Sequence, residues 1–538
     1  MKILKCGTCL ILALFSGSLT STTHAAILVS NGSQADVQAK INSANNGDTI
    51  TLPAGSFTWT SGVTSSKAIT IAGAGGGRIV ARSESNVTVS TGTKTFTLVQ
   101  ESVASIAALR SALSNGSTLK IWRTGGAVSG GTTTGALPWM QGTITSLIGD
   151  TLTMNITSTN GDGTHPVWIF ATTAPTTIVW NATNATAFNL TESTAKSVEL
   201  YGIRFEHAAG LSANVNASAD FITLNATTNG YPALIHDCSF FDFTYGNQIR
   251  AYTSKGVIWN CSFVALPFSF AQLAIHAVNS SYTTSWSTVS TMGEADTTGR
   301  ANFYVEDCDF HAWNNANDYD ENMRSVTRYC LFNQAAWGSH GADSSNYGQR
   351  HFEVYNCEFQ RTNFSNGQTL NLGWFFLVRG GTGVITNNII PTSGGSDYGG
   401  SPHVKLALWN LQFNGGPNPL WGNNIAGNQY PCPRQIGMGR VTGSGTDGRG
   451  RSTDTFAYVG DSEPLYIWGN TGAVSVTVSI SQYSTPLAGQ DVIADYVIAG
   501  RDFFNNGTVK PGYVKKGYPH QLRPGIPPSQ ASIMISLF

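Results

Sequence analysis

The sequence predicts an all-β fold, a single solenoid of stacked parallel coils, on three observations. A cysteine followed two places later by phenylalanine recurs five times, in IHDCSF, IWNCSF, VEDCDF, TRYCLF and VYNCEF. Cys238, Cys261, Cys308, Cys330 and Cys357 lie 23, 47, 22 and 27 residues apart, and a period in the low twenties marks a solenoid. Each unit is rich in β-branched and aromatic residues and bounded by turn residues, which reads as strands. The 538 residues include 59 glycines, and only 11% are charged. This composition suits tightly turned β structure.

From the N-terminus, Lys2 and Lys5 precede an apolar run, Leu10 to Phe15, and small residues up to Ala25. Residues 1–25 therefore read as a secretory signal peptide, too short to span a bilayer. The expectation is a secreted bacterial protein, periplasmic or extracellular, without a membrane span. Cys6 and Cys9 fall inside the signal, so their CxxC spacing carries no redox meaning. Six cysteines and a net charge near −3 remain after it. No basic patch suggests nucleic acid, and a monomer is expected.

Residues 26–99 read as a cap and the first coils. A short helical pattern places Val37, Ile41 and Ala44 on one face, as a plug for the solenoid's open end requires. Residues 100–172 break the period. They read as a small antiparallel insertion around the tight turn LIGDT, with Trp122, Trp139 and Trp168 either filling its core or stacking on sugars. Residues 173–480 form the main β-helix, and 481–538 a strap or tail without the coil period.

The repeat also sets a register. Equivalent residues of successive coils stack roughly 4.8 Å apart, so Phe240, Phe263, Phe310, Phe332 and Phe359 should form one internal stack. The cysteines form another beside a bend, as small buried fillers or as disulfides between neighbours. A polar insertion, 279–300, explains the long gap before Cys308. Three places before each cysteine the residue is mostly apolar (Ile235, Ile258, Val305, Thr327, Val354) and faces inward. Alternation then turns the residues two, four and six places before it outward.

That face gathers Glu306, Arg324, Arg328, His351, Glu353 and Tyr355 from three neighbouring coils. Two long polar loops, 311–323 and 333–350, add Asp318, Asp320, Glu321, Trp337, His340, Asp343 and Arg350. Long loops on a rigid scaffold commonly carry function. The set suits a polysaccharide lyase acting on an acidic glycan. Arg324, Arg328 and Arg350 would clamp a uronate carboxylate, His340 or His351 would act as base, and Tyr355 would donate a proton, with Glu353 beside it. His351, Glu306, Asp343 and Trp337 would bind substrate. Asp318, Asp320 and Glu321 offer oxygen ligands for Ca²⁺. A glycoside hydrolase would instead need two carboxylates, such as Asp320 or Glu306 with Glu353. A non-catalytic glycan-binding or adhesive β-helix is the remaining alternative.

Two features carry a family resemblance. The start ADVQAKINSANNGDTITLPAGSFTW resembles the pectate-lyase-like superfamily of right-handed parallel β-helices. The stretch DENMRSVTRYCLFN…SHGADSS…QRHFEVYNCEF, with YPCPRQIGMGR and EPLYIWGN, is similar to a largely uncharacterised group of secreted bacterial β-helix proteins. The resemblance implies a right-handed parallel β-helix and highlights Arg324, Arg328, His340, Asp343, Arg350, Glu353 and Tyr355. Cysteines stand where that group usually has Asn at the turn. The motifs that fix the catalytic Arg of pectate and pectin lyases are absent.

Overall fold

A computed structural model of the chain describes residues 25–99, 113–123, 138–165, 168–182, 185–208, 220–242, 247–253, 255–265, 273–278, 296–311, 313, 315–320, 323–339, 349–360, 374–391, 403–408, 412–413, 416–417, 429–430, 436–441, 458–471, 474–480 and 497–523. The signal-peptide reading falls on residues outside this set, apart from Ala25.

Successive coils stack their described strands into three long parallel sheets, which makes the molecule a parallel β-helix. Sheet 1 stacks twelve described strands, from Ile27–Val29 to Phe503–Phe504. Sheet 2 stacks eight, from Gly55–Trp59 to Glu358–Gln360. Sheet 3 stacks six, from Val63–Ser65 to Asn315–Asp320. A parallel bridge from Tyr319 to Ser339 carries it on into a further sheet beginning at Trp337–Gly338.

From Tyr201 onward the described coils leave sheet 1 through one bend residue. That residue is left-handed at Asp237, Asn260, Asp307, Tyr329, Asn356 and Asn387, with φ between 51° and 56°. Gly202 and Gly469 hold the same place in their coils, with φ of 69° and 65°. This backbone favours Gly, Asn and Asp, which explains the residue before each cysteine. Tyr329 is the exception, and its ring packs 3.8 Å from that of Tyr518.

The cysteine after this bend is buried and free at all five described positions. Each thiol donates to the carbonyl two residues back, for example Cys308 Sγ to Glu306 O at 3.2 Å and Cys330 Sγ to Arg328 O at 3.3 Å. Burial pushes the thiols of Cys261, Cys308 and Cys330 well above the ordinary range. These cysteines are inert fillers. After Cys357 the row passes to Asn388, which bonds Val354 O and Asn470.

Inside the coil, the phenylalanine stack runs from Phe205 to Phe359 with centroids 4.7 to 5.0 Å apart and nearly parallel rings. The spacing is that of the strands themselves, so backbone and ring stacking favour the same repeat. The helix Gln34–Ser43 closes the N-terminal end, with Val37 and Ile41 buried and Ser33 as N-cap. The Lys67 ammonium donates to Ile41 O, Asn42 O and Ala44 O at the helix C-terminus, where a cation is favoured.

The antiparallel sheet begins earlier than the periodicity suggests. Ile79–Ser83 and Gly92–Thr97 belong to it together with Thr118–Arg123, Trp139–Ile148, Thr151–Asn160 and Trp168–Thr172. Ile79–Ser83 lacks clean alternation because all five of its residues are buried, so its pairing partner is hidden from a sequence pattern. Trp122 and Trp168 are core residues, and Trp139 is half-buried against one of the clusters.

Candidate functional site

The coil has three outer faces, and the chain itself covers two of them. Residues 513–523 cross the outside of sheet 1. Tyr513 donates to Glu353 (2.8 Å), Lys515 to Asn356 (3.1 Å) and Tyr518 to Asp307 (2.6 Å), and the backbone of His520 donates to Glu306 (3.1 Å). Leu522 packs on an apolar layer of Leu234, Val257, Trp259, Tyr304, Val326 and Tyr355.

The register brings Glu306, Arg328 and Tyr355 onto one line, and Arg324 beside His351. All of these except Arg324 are buried. Glu306 and Arg328 are fully buried and bonded to each other. Arg328 also donates to Tyr355 (2.9 Å) and to Lys516 O and Gly517 O (2.8 Å each). Arg523 reaches Glu306 at 3.1 Å and Asp307 at 2.6 Å. Burial alone would push the Glu306 carboxyl up, but Arg328, His520 and Arg523 hold it below the usual range. The group is therefore a charge-paired seam between sheet 1 and the tail, and Glu306, Arg328 and Tyr355 are not presented to an external ligand. An unpaired buried ion costs several kcal/mol, so the pairing is obligatory.

At the edge of this seam, Arg350 is buried and grips Glu463 with both terminal nitrogens (3.2 and 3.4 Å). His351 lies 3.8 Å from Glu353. Burial, Lys510, Arg350, Arg324 and Lys516 drive the His351 imidazole well below its ordinary value, so it is neutral. Burial raises the Glu353 carboxyl against the pull of Tyr513 and two lysines. Arg324 is brought down to about 10 by burial and by Arg350. Trp337 points into the coil, 5.0 Å from the Phe352 ring, with its Nε1 donating to Thr327 (3.3 Å). It is a core residue and cannot touch an external substrate. His340, Asp343 and Glu321 lie outside the described residues.

Sheet 2 is covered by the antiparallel sheet. Trp122 lies on Phe241 at 4.3 Å, within a cluster that includes Ile79, Ile169 and Val264. Arg78 pairs with Asp309 (2.9 Å). The Arg204 guanidinium bonds Gly77 O and Thr172 O, at 2.5 and 3.0 Å, and is pressed down to about 10 by burial.

Sheet 3 presents a different surface. Asn189, Thr223, Arg250, His276 and Asp318 are successive neighbours along one line of its outer face. Two places further along each strand stand Thr191, Asn225, Tyr252, Val278 and Asp320. Tyr252 is 40% exposed, and the Arg250 and His276 side chains are about one-fifth exposed. Arg250 is held by Asp220, 3.1 Å from Nε, and donates to the Tyr252 hydroxyl at 3.1 Å. Asp220 accepts from the backbone and side chain of Asn247, and burial raises its carboxyl in spite of Arg250. Asp320 lies 3.8 Å from His276 Nε2. A cation, an imidazole, a phenol and carboxylates thus share one accessible face.

Sequence reasoning missed Arg250, Tyr252 and His276. A signal exists in the strands NQIRAY, LAIHAV and NANDYD, whose Ile249, Ile275 and Asn317 stack inward and whose next residue points out. Asp318 and Asp320 belong to this face and not to the sheet 1 group. Among the described residues no three His, Cys, Asp or Glu side chains converge as a metal site. Of the three oxygen ligands expected for Ca²⁺, Asp318 and Asp320 stand two residues apart on this face, and Glu321 lies outside the described residues.

No family model matches the chain, and no curated protein sequence does. Among solved structures, an alginate lyase from Paenibacillus sp. str. FPU-7 aligns over 85% of this chain and 92% of its own, at 10% identity and a TM-score of 0.32. The tailspike protein gp49 from Pseudomonas phage LKA1 aligns over 83% and 71%, at 13% identity and a TM-score of 0.20. The catalytic domain of a GH87 α-1,3-glucanase aligns over 73% and 77%, at 10% identity and a TM-score of 0.18.

Proposed function

We propose that the protein is a secreted carbohydrate-active enzyme, a polysaccharide lyase that cleaves an acidic, uronate-containing glycan laid along the outer face of sheet 3. One observation carries this reading. Two outer faces of the coil are sealed by the chain's own tail and insertion, and the third displays Arg250, Tyr252 and His276 to solvent.

In this reading Arg250, fixed by Asp220, neutralises the uronate carboxylate and so acidifies the C5 proton. The His276 imidazole removes the C5 proton, and the Asp320 carboxylate, 3.8 Å from Nε2, stabilises the imidazolium that forms. Electrons from the C5–H bond form the C4–C5 double bond as the C4–O bond breaks. Tyr252 supplies the proton to the leaving oxygen. His340 follows Ser339 directly in sequence and is a second candidate base; Arg324, Arg350 and His351 remain candidates for the edge of the site.

The test is ultraviolet absorbance of the unsaturated product after mixing the full protein with acidic polysaccharides, beside Arg250→Ala, His276→Ala and His340→Ala. Absorbance lost in Arg250→Ala and His276→Ala supports the assignment. Loss in His340→Ala alone would move the base to that residue. Binding without any product would make the protein a glycan-binding β-helix.

A second reading, a glycoside hydrolase, is favoured by Asp318 and Asp320. They are two residues apart on one strand face, roughly 6.6 Å along the backbone, and a pair of carboxylates is what glycoside hydrolysis uses. New reducing ends without unsaturated product, lost in Asp320→Asn, would select it.

A further inference from the structure

We infer that the protein has a second saccharide-binding site, in the wedge between the antiparallel sheet and the first coils of sheet 2, which takes an acidic sugar against Trp139 and Lys120. The site lies apart from the cleavage face and does not depend on it.

The wedge follows from the shape of the insertion. Its strands run in the order Ile79–Ser83, Trp168–Thr172, Thr118–Arg123, Trp139–Ile148, Thr151–Asn160 and Gly92–Thr97. An antiparallel bridge from Ser83 to Leu98, just past the last strand, joins the two edges. The sheet is thus a small barrel, filled by a cluster that includes Phe96, Ile121, Met140, Met154 and Phe170. A closed barrel is round, so it meets sheet 2 along one side only. Contact is made by Ile79, Ile169 and Trp122 with Phe241 and Val264. Closure turns the next strand away. Its Trp139, opposite Trp122 in register, is half-buried where Trp122 is buried. On the solenoid side, Val264, Phe241, Glu206, Val179 and Thr58 form one row. Val264 and Phe241 are buried, Glu206 and Val179 half-buried, and Thr58 exposed, so the row emerges from under the barrel towards the N-terminus.

Lys120 stands where the two surfaces part. Its ammonium lies 4.9 Å from the centroid of the Trp122 ring, 4.8 Å from that of Trp139 and 3.6 Å from Glu206 Oε1. Arg204 faces the same carboxylate at 3.9 Å, so two cations share one counter-ion. Arg204 is buried and directs its donors to Gly77 O, Thr172 O and Ser239 Oγ. The Lys120 side chain is 19% exposed and can be reached. Burial lowers its ammonium from the ordinary value; Glu206 opposes that shift and Arg204 adds to it. A half-buried cation that shares its counter-ion gains from a further anion. The neighbouring groups fix the class. The Trp139 indole suits the C–H face of a pyranose ring. Gln141, beside Lys120 in the register, and Thr58 offer partners for sugar hydroxyls. An apolar wall with a few polar groups is the usual make-up of a ligand site, and a sugar bearing a carboxylate meets both the ring and the charge.

The experiment measures calorimetric binding of oligogalacturonate and oligomannuronate, and of their neutral methyl esters, to the full protein carrying Arg250→Ala, which removes the cation of the cleavage face. Lys120→Met and Trp139→Ala are added singly to that background. The expected result is that an acid form binds about tenfold more tightly than its ester. Lys120→Met should erase that difference, and Trp139→Ala should weaken both forms. Hydroxyl-radical labelling of the Arg250→Ala protein reads the site without altering it, since the bound acid should shield Trp139 from oxidation. No binding of either acid, equal affinity for acid and ester, or unchanged oxidation of Trp139 overturns the inference. Unsaturated product from the parent protein without shielding of Trp139 removes this site and leaves the lyase reading standing; shielding without product removes the lyase reading and leaves this site.

Discussion

The outer faces of sheets 1 and 3 are built from the same chemistry and serve opposite ends. Both carry arginine, histidine, tyrosine and carboxylates in lines set by the parallel register. On sheet 1 the charges are buried and neutralise one another beneath residues 513–523. On sheet 3 Arg250 and Tyr252 are tethered to each other yet reach solvent. The difference teaches that a clustered charge set in a solenoid is no sign of a site until the path of the rest of the chain is known. A buried pair is held by the cost of breaking it; an accessible one can exchange its partner for a ligand.

The sharpest way to break this comparison is Glu306→Ala. It strands Arg328 in a buried environment, and should cost about 3–5 kcal/mol in urea unfolding. A loss under about 1 kcal/mol would mean that the seam is wet and the face open. His276→Ala should do the reverse, with stability within about 1 kcal/mol of the parent and product formation down on the order of 10²–10⁴-fold.

Acid should act on the covered face first. Burial, Arg328 and Arg523 hold His520 down to about 4, against Glu306 and Asp296. The unfolded imidazole, near 6.5, binds a proton that the folded one refuses. Stability therefore falls as the pH drops from about 6.5 towards 4, by about 2–3 kcal/mol, and His351 acts in the same direction. Asp307 and Glu353, both raised by burial, oppose the loss. Urea midpoints from pH 7 to pH 4 measure the balance, and His520→Gln should flatten the curve. An unchanged slope in that variant would remove His520 from the account.

A smaller effect is expected of Tyr513→Phe, which deletes the hydroxyl on Glu353 and should cost about 1 kcal/mol, read as earlier proteolysis of the tail. Smallest is Cys308→Ala, about 1 kcal/mol or less from one small buried atom. Alkylating reagents should leave the five described thiols untouched until the coil unfolds; labelling of the native protein would contradict their inert role.

Much of the scaffold is legible in the chain. The Cys-x-Phe spacing contains the coil length, the inward stack and the bend, because each coil meets the same steric demands at the same position. The helix at Gln34–Ser43 is readable from Val37 and Ile41, and the alternation that turns Glu306, Arg328 and Tyr355 away from the coil centre is correct. Trp337 was not legible: it follows a loop, where the register of the preceding strand no longer applies, and its indole fills the coil beside Phe352. The start of the antiparallel sheet was hidden for a similar reason, since Ile79–Ser83 is buried along its whole length.

What the sequence determined by itself is therefore local and periodic: strands, bends, and which residues leave the coil on each side. Those follow from side-chain size and backbone preference within one coil, repeated. Which outer face meets solvent is decided only in the tertiary structure. That outcome depends on contacts between residues some two hundred positions apart, such as His520 with Glu306 or Arg78 with Asp309, and no periodicity encodes where a non-repeating segment comes to rest.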